Sequence, residues 1–265
     1  MTERIKIYDM RANGVYLPIR YYARPDQTKV VLVATLHKGS GDFYKKVAHI
    51  LNKCDTVIYE EPCERDADTM RELDNAWSQI LSDENLDEAM LAAIFFPMPQ
   101  KFMHNHLLRE EDHCFDYSQV NWISGDAEWN KKRPGASLLE EDWIRIRENI
   151  KSMDLELKEK KVAAARRFLK KANNYSASML DYIDFGNLYE DEIQEIVFRS
   201  VLVDPRDEIA LGVLDHVTDA IKQSRIGIKF SNGHICHMDR LLRDRGYALT
   251  TVKWLRILTV FPCEQ

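Results

Sequence analysis

The stretch Lys29-Val-Val-Leu-Val-Ala-Thr-Leu-His37 decides the fold of this chain. Seven of the eight residues from Val30 to His37 are apolar or β-branched, and the polar turn residues 38–42 follow them. A short apolar run bounded by turn residues is typical of a strand buried on both faces at the centre of an α/β sheet. Ligands usually bind at the carboxyl tips of such strands, so His37 is a candidate site residue. The alternative is a histidine that only caps a core strand.

The next segment predicts a βαβ unit. Apolar residues recur at helical spacing from residue 43 to residue 51, and Asp55-Thr-Val-Ile-Tyr-Glu60 is a second short strand that ends on an ionisable residue. A strand, a helix of about three turns and another strand have parallel strands when they share a sheet.

Other strands and helices are predicted on both sides of this unit. Asn13-Gly14 predicts a hairpin within residues 4–23, because Asn-Gly favours a tight turn between two strands. Asp204-Pro205 predicts a helix start with an Asp cap. The buried stripe expected on that helix is Ile209, Val213, Val217 and Ile221. Further strands are predicted at 120–126, 227–234 and 248–260, and helices at 68–95.

The middle of the chain is patterned as helix. An apolar seam runs through Trp143, Ile146, Ile150, Met153 and Leu157, in a helix expected to continue to about Lys171. We therefore predict an α/β fold, with a mixed central β-sheet, βαβ units and flanking helices. One domain spans residues 1–265 and carries a helical insertion or layer at about 138–203. The stretch 138–172 packs on another helix or forms a homodimer.

Composition narrows the function classes. The net charge of -6 and the pI of about 5.8 argue against nucleic acid as a partner. No apolar run approaches the roughly 18 residues of a membrane span, and the N-terminal residues contain no apolar signal-peptide core. The five cysteines are odd in number and form no C-x-x-C pair, which indicates reduced thiols in a cytoplasmic protein.

Three predicted strands end on ionisable side chains, namely His37, Glu60 and His234. If these strands are parallel neighbours, the three side chains emerge along one edge of the sheet. Two imidazoles and a carboxylate suit a divalent metal that lowers the pKa of a bound water. The same groups could work without metal, because a histidine base oriented by a glutamate activates water. The spacing leaves both mechanisms open.

Four motifs resemble the TraB/PrgY/Tiki family, which is similar in fold to the erythromycin esterase-like and ChaN-like proteins. In chain order they are Ala34-Thr-Leu-His37, Val57-Ile-Tyr-Glu60 with Arg65, Pro205-Arg206-Asp207, and Ser231-Asn-Gly-His234 followed by Leu-Leu-x-x-x-Gly-Tyr247. The resemblance covers roughly residues 29–66 and 200–250. The chain departs from the family in two respects. Ala34 and Ser231 stand where the family's two G-x-x-H motifs have glycine, and His237 stands where the family commonly has glycine.

The resemblance implies a hydrolase that cleaves an amide or ester bond of a peptide-like or small-molecule substrate. It implies a divalent metal ion (Mn, Co or Zn), with Arg65 and Arg206 anchoring or stabilising negative charge. The implied metal ligands are His37, Glu60, His234, His237 and Asp126. The last two are the weaker members, since His237 would face the same side as His234 only if a helix has begun there.

Rival interpretations stay open at this stage. One is a metal-independent His/Glu esterase, and another is a biosynthetic transferase or cyclase on the same scaffold. A third is a non-catalytic protein that binds a peptide or heme. Arg65 and Arg206 could merely pair with nearby acids at helix starts. No catalytic role is assigned to His104, His106 or His113, or to the thiols of Cys63 and Cys236.

Overall fold

Strand β3 (Lys29–Thr35) lies inside a mixed sheet of seven strands, counted over the described residues of the computed structural model. The structure describes residues 8–61, 85–94, 108–132, 140–173, 181, 194–221 and 224–259. The chain divides into two compact units. The first comprises residues 1–62, 108–132 and 203–265, and the second comprises residues 63–107 and 133–202.

The sheet belongs to the first unit. Its other members are β1 (Asp9–Arg11), β2 (Gly14–Ala23), β5 (Thr56–Tyr59), β7 (Trp122–Ser124), β8 (Arg225–Ser231) and β9 (Ala248–Thr259). The strand order is β1-β2-β3-β8-β5-β7, and β9 pairs with β2. The predicted α/β fold with a mixed sheet and flanking helices is confirmed, as is the hairpin of β1 and β2 around residues 12–13.

The four strands β3, β8, β5 and β7 run parallel to one another, whereas β2 pairs antiparallel with β1, β3 and β9. Strands β3 and β5 are therefore parallel, as the βαβ pattern predicts, and β8 lies between them. The carboxyl ends of these four strands meet at one edge of the sheet. This is the edge at which open α/β sheets bind ligands.

Strand β3 is buried as predicted, since every residue from Val30 to Thr35 is at most 1% exposed. It ends at Thr35, however, two residues before His37. The predicted polar turn at 38–42 is also wrong, because Lys38–Ser40 forms β4 and pairs antiparallel with β6 (Leu108–Glu110). Pairing with β6 satisfies backbone groups that a turn would leave to solvent.

Helix α1 (Gly41–Leu51) connects β4 to β5. The Ser40 hydroxyl accepts a hydrogen bond from the Phe43 N–H at 3.3 Å and caps the helix. The buried face of α1 consists of Phe43, Tyr44, Val47 and Leu51. This face matches the helical spacing in the sequence.

The second unit is described through its helices. They are α2 (Leu86–Ile94), α4 (Glu140–Ser152), α5 (Leu155–Asn173) and most of a π-helix at Gln194–Val203. The single helix predicted to reach Lys171 is in fact two, because the Asp154 carboxylate accepts the Leu157 N–H at 3.1 Å and caps the start of α5. Ile146, Ile150 and Met153 of the predicted seam are buried. No helix in the described ranges has the length and apolar character needed to cross a bilayer.

Three further helices belong to the first unit: α3 (Ala127–Lys132), α6 (Asp204–Ala220) and α7 (Ile235–Asp244). Asp204 is the first residue of α6 rather than its cap, because the preceding Val203 already has helical backbone. The predicted stripe is also misplaced, since only Val217 of its four members is buried and Ile221 is 48% exposed. The buried face of α6 instead consists of Asp207, Ala210, Leu211, Leu214, Val217 and Thr218. Because Asp207 is fully buried, the buried face of α6 differs from the face that apolar residues alone predict.

Candidate functional site

Four predicted site residues follow the ends of the parallel strands. His37 lies two residues after β3, Glu60 directly follows β5, and Asp126 lies two residues after β7. Strand β8 ends at Ser231, and a 3-10 turn over Asn232–His234 then carries His234. The strand tip predicted at His234 is therefore a turn between β8 and α7.

Glu60 lies at the centre of the site and is buried. Its Oε2 accepts a hydrogen bond from the Ser231 N–H at 2.6 Å, and its Oε1 lies 2.9 Å from the Arg206 guanidinium. Burial alone would raise the pKa of Glu60, but Arg206, His234 and more weakly His37 hold that pKa well below its usual range. Glu60 is thus a stable anion.

Arg206 joins Glu60 to Asp126. Its Nε donates to Asp126 Oδ2 at 3.2 Å, and a second nitrogen of the guanidinium contacts the same oxygen. The Glu61 N–H donates to the other oxygen of Asp126 at 3.0 Å. Burial raises the pKa of Asp126, while Arg206 opposes that rise. Arg206 therefore projects from the first turn of α6 towards the predicted edge, as its place in the Pro205-Arg206-Asp207 motif predicts.

His234 lies between two carboxylates. Its Nδ1 is 2.6 Å from Asp207 Oδ1, and its Nε2 is 3.6 Å from Glu60 Oε1. Burial by itself lowers the pKa of an imidazole, but Asp207 and Glu60 raise the pKa of His234 to about 9. His234 is therefore protonated at neutral pH. We call Glu60, Asp126, Arg206, Asp207 and His234 the edge cluster.

His237 shares Asp207 with His234. Helix α7 begins at Ile235, so His237 does lie on the same side, and its Nδ1 is 3.0 Å from both Asp207 Oδ2 and Asp204 Oδ1. In this position His237 faces two aspartates of α6.

His37 lies apart from these contacts. Its side chain is 60% exposed, and its Nδ1 is 3.8 Å from Glu111 Oε2. No ion pair within 4.0 Å joins it to Glu60 in the described part of the chain. The structure therefore brings together Glu60, Asp126, Arg206 and His234, and leaves His37 at the same sheet edge beside another carboxylate.

The predicted metal ligands fit an ion only in part. The 3.6 Å between His234 Nε2 and Glu60 Oε1 is a spacing that two ligands of one ion have. Against this, Arg206 already lies against both Glu60 and Asp126, and His234 carries its own positive charge. Across the described ranges, no three His, Cys, Asp or Glu side chains are grouped as metal ligands. The predicted metal, Mn, Co or Zn, stays a prediction.

Six other residues were named from the sequence, and the structure describes two of them. Arg65, Cys63, His104 and His106 lie outside the described residues. His113 is exposed at the end of a short 3-10 turn, and Cys236 is exposed on α7.

Three residues around the site were missed by the sequence analysis, namely Asp207, Glu111 and Lys229. Asp207 belongs to the Pro205-Arg206-Asp207 motif and was given no role, although it contacts both His234 and His237. The sequence could have identified Lys229, because a lysine within a buried apolar strand needs a partner. The sequence could not have identified Glu111, since it stands in an ordinary acidic run, Glu110-Glu111-Asp112.

Comparison of the chain with protein-family models, curated proteins and solved structures gives no match. The resemblance to the TraB/PrgY/Tiki family accordingly stays a prediction based on the four motifs.

Proposed function

We propose that this protein is a hydrolase that cleaves an amide or ester bond in a peptide-like or small-molecule substrate. The observation that carries the proposal is the ordered chain of charges Asp207–His234–Glu60–Arg206 at the carboxyl edge of the parallel strands. Histidines held by carboxylates beside an arginine are the groups that acyl-transfer hydrolysis requires.

His37 is the base in this proposal because its imidazole is exposed to solvent. It takes a proton from water, and the water oxygen adds to the carbonyl carbon while the C=O electron pair moves onto oxygen. The tetrahedral intermediate then re-forms its C=O bond and expels the leaving oxygen or nitrogen. The products are a carboxylic acid and an alcohol or amine.

His234 and Arg206 act on the negative charge that develops. The protonated His234 donates a proton to the leaving group and regains one from solvent, and His37 releases to solvent the proton that it took from water. Arg206 supplies a fixed positive charge near the oxyanion. Glu60 and Asp207 keep His234 protonated at neutral pH, which is the state that an acid needs.

A metal-assisted version of the same hydrolysis is the second candidate. It is favoured by the spacing of His234 Nε2 and Glu60 Oε1, and by Asp207, which orients His234 from behind as metal-ligating histidines are oriented. A bound ion would lower the pKa of its water. The charge balance of the edge cluster favours the metal-free version, because Arg206 and His234 already offset two of its three negative charges.

Purified protein should be assayed with p-nitrophenyl acetate and with a peptidyl aminomethylcoumarin amide. His234→Gln should lower turnover about 100-fold or more. His216→Gln is the matched control, since His216 is exposed on α6, outside the edge cluster, and should leave turnover unchanged. Equal turnover in all three proteins, or none in any, contradicts the proposal. A Soret band on heme addition, lost in His234→Gln, would then support the non-catalytic binder.

A further inference from the structure

Lys229 is a buried cation in the centre of the sheet. It lies on β8 and is 2% exposed, and its Nζ is 2.8 Å from Oε1 of Glu111, whose side chain is 3% exposed. Removing both charges from water costs several kcal/mol per ion, which a close pair only partly recovers. Such a pair contributes little to stability compared with apolar packing, so its presence asks for another explanation.

Aromatic rings fix the position of this lysine. Its Nζ lies 5.3 Å from the ring centroids of both Phe115 and Tyr117. A cation over aromatic faces is attracted by their electron density. Burial lowers the pKa of a lysine, but Glu111, together with Tyr117 and Glu60, offsets that effect and raises the pKa of Lys229 above its usual value. Lys229 is therefore a fixed positive charge, and Glu111 is held against it.

Glu111 also reaches His37, through both backbone and side chain. Its N–H donates to the His37 carbonyl oxygen at 2.9 Å, which continues the β4–β6 pairing of Lys38 with Glu110. Its second carboxylate oxygen, Oε2, faces His37 Nδ1 at 3.8 Å. Glu111 thus uses one oxygen for the buried lysine and turns the other towards the imidazole.

We propose that Lys229 and Glu111 form a positioning pair for His37. The carboxylate favours a proton on His37 Nδ1 and thereby leaves the lone pair on Nε2, where a base needs it. The 3.8 Å between His37 Nδ1 and Glu111 Oε2 is too long for a hydrogen bond, so the proposal requires the exposed ring to rotate towards that oxygen. The catalytic importance of the pair rests on the proposed function, whereas the effect on the ring can be tested without any substrate.

The first test is the tautomer of His37, measured by ¹H–¹⁵N NMR of histidine-labelled protein at a pH high enough that the ring signals no longer change with pH. His37→Gln identifies the signals. The wild type should show the Nδ1-protonated ring, and Glu111→Gln should shift the ring to the Nε2-protonated form. Glu111→Asp keeps the charge but shortens the side chain, and should give an intermediate result. An Nε2-protonated ring in the wild type, or an unchanged ring in Glu111→Gln, overturns the proposal.

Glu111→Gln leaves Lys229 buried without a counterion, which is a sufficient reason for misfolding. The double variant Lys229→Met/Glu111→Gln removes both charges and should show the same tautomer shift. In either variant kcat for p-nitrophenyl acetate should fall about 10- to 100-fold, with KM changed less than threefold. Lys158→Met is the matched control, since Lys158 is a buried lysine whose Nζ is 2.7 Å from Asp87 in the second unit. It should change neither the tautomer nor kcat.

The outcomes separate the two proposals. A tautomer that responds to Glu111 in a protein without turnover overturns the hydrolase and supports the positioning pair. Turnover that needs His37 but tolerates Glu111→Gln, with an unchanged ring, overturns the positioning pair and supports the hydrolase.

Discussion

His234 Nδ1 lies 2.6 Å from Asp207 Oδ1, and neither side chain is more than 5% exposed. The two residues come from α6 and from the turn after β8, so the contact ties that helix to the carboxyl edge of the sheet. It also fixes the ring, because one nitrogen is held by Asp207 and the other faces Glu60. The orientation of His234 therefore depends on a residue outside the strands.

Asp207→Asn should lower kcat about 100-fold or more with the fold retained, because the amide replaces the charge that keeps His234 oriented and protonated. Turnover of p-nitrophenyl acetate and a thermal melt measure the two effects. Asp215→Asn is the control, since Asp215 lies on the same helix and pairs with Arg245 at 3.0 Å, away from the edge cluster. A kcat within threefold of wild type in Asp207→Asn would limit Asp207 to a structural role.

The raised pKa of His234 predicts a pH dependence of stability. Its folded pKa of about 9 lies above the ordinary value of 6.5, so the folded state holds this proton more tightly than the unfolded state. The resulting stabilisation is fully present below about pH 6.5 and is lost as the pH rises towards 9. Urea unfolding at several pH values should show the wild type losing stability relative to His234→Gln across this window. A difference that does not change with pH contradicts the assignment.

Arg206→Met should destabilise the protein by about 3–5 kcal/mol, because it leaves two buried carboxylates without their cation. Arg206→Lys keeps the charge but not the forked contact, and should cost less. Arg147→Met is the surface control: Arg147 is 48% exposed and lies 3.7 Å from Glu88, so its loss should cost under about 1 kcal/mol. Urea unfolding gives all three values. If Arg206→Met lowers the free energy of unfolding as little as Arg147→Met does, Arg206 is an ordinary helix-start residue.

The sequence predicted the sheet edge better than the contacts on it. Strand runs and the βαβ pattern were enough to predict that the strands before His37 and Glu60 are parallel, since apolar periodicity and strand direction are local properties. They could not show that β8 lies between β3 and β5, because strand order depends on which distant segments pair. Nor could they show that His37 faces Glu111, from a segment more than 70 positions later in the chain.

Helix α6 shows a second limit of prediction from the sequence. A pattern of apolar residues alone selected Ile209, Val213, Val217 and Ile221, whereas the helix buries Asp207. A buried carboxylate is tolerated only with partners, and those partners, His234 and His237, come from another element. Functional sites are where such departures from the apolar pattern are expected.

Metal removal distinguishes the two versions of the hydrolysis. We expect protein treated with EDTA and desalted to keep its turnover of p-nitrophenyl acetate, because Arg206 and His234 already supply positive charge beside Glu60. Elemental analysis of untreated, tag-free protein is the companion measurement. A stoichiometric Mn, Co or Zn, together with turnover that is lost in EDTA and restored by that ion, would establish the metal-assisted version instead.

Gly125 sets the position of Asp126 and allows a test of the edge that does not touch a charged group. A Cβ at Gly125 would lie 2.9 Å from the Phe230 ring on β8 and 2.9 Å from Ile58 Cγ2 on β5. Gly125→Ala must therefore push the chain away from β5 and β8, which should cost about 1–3 kcal/mol of stability. The shift also moves Asp126 relative to Arg206, so turnover should fall along with stability.

Gly212→Ala is the matched control, because Gly212 is an exposed residue within α6 with no atom within 4 Å of its added Cβ. That change should stabilise the protein by about 0.5–1 kcal/mol and leave turnover unchanged. Urea unfolding and p-nitrophenyl acetate turnover measure both variants, and a Gly125→Ala protein as stable and active as the control would show that the edge accommodates the methyl group.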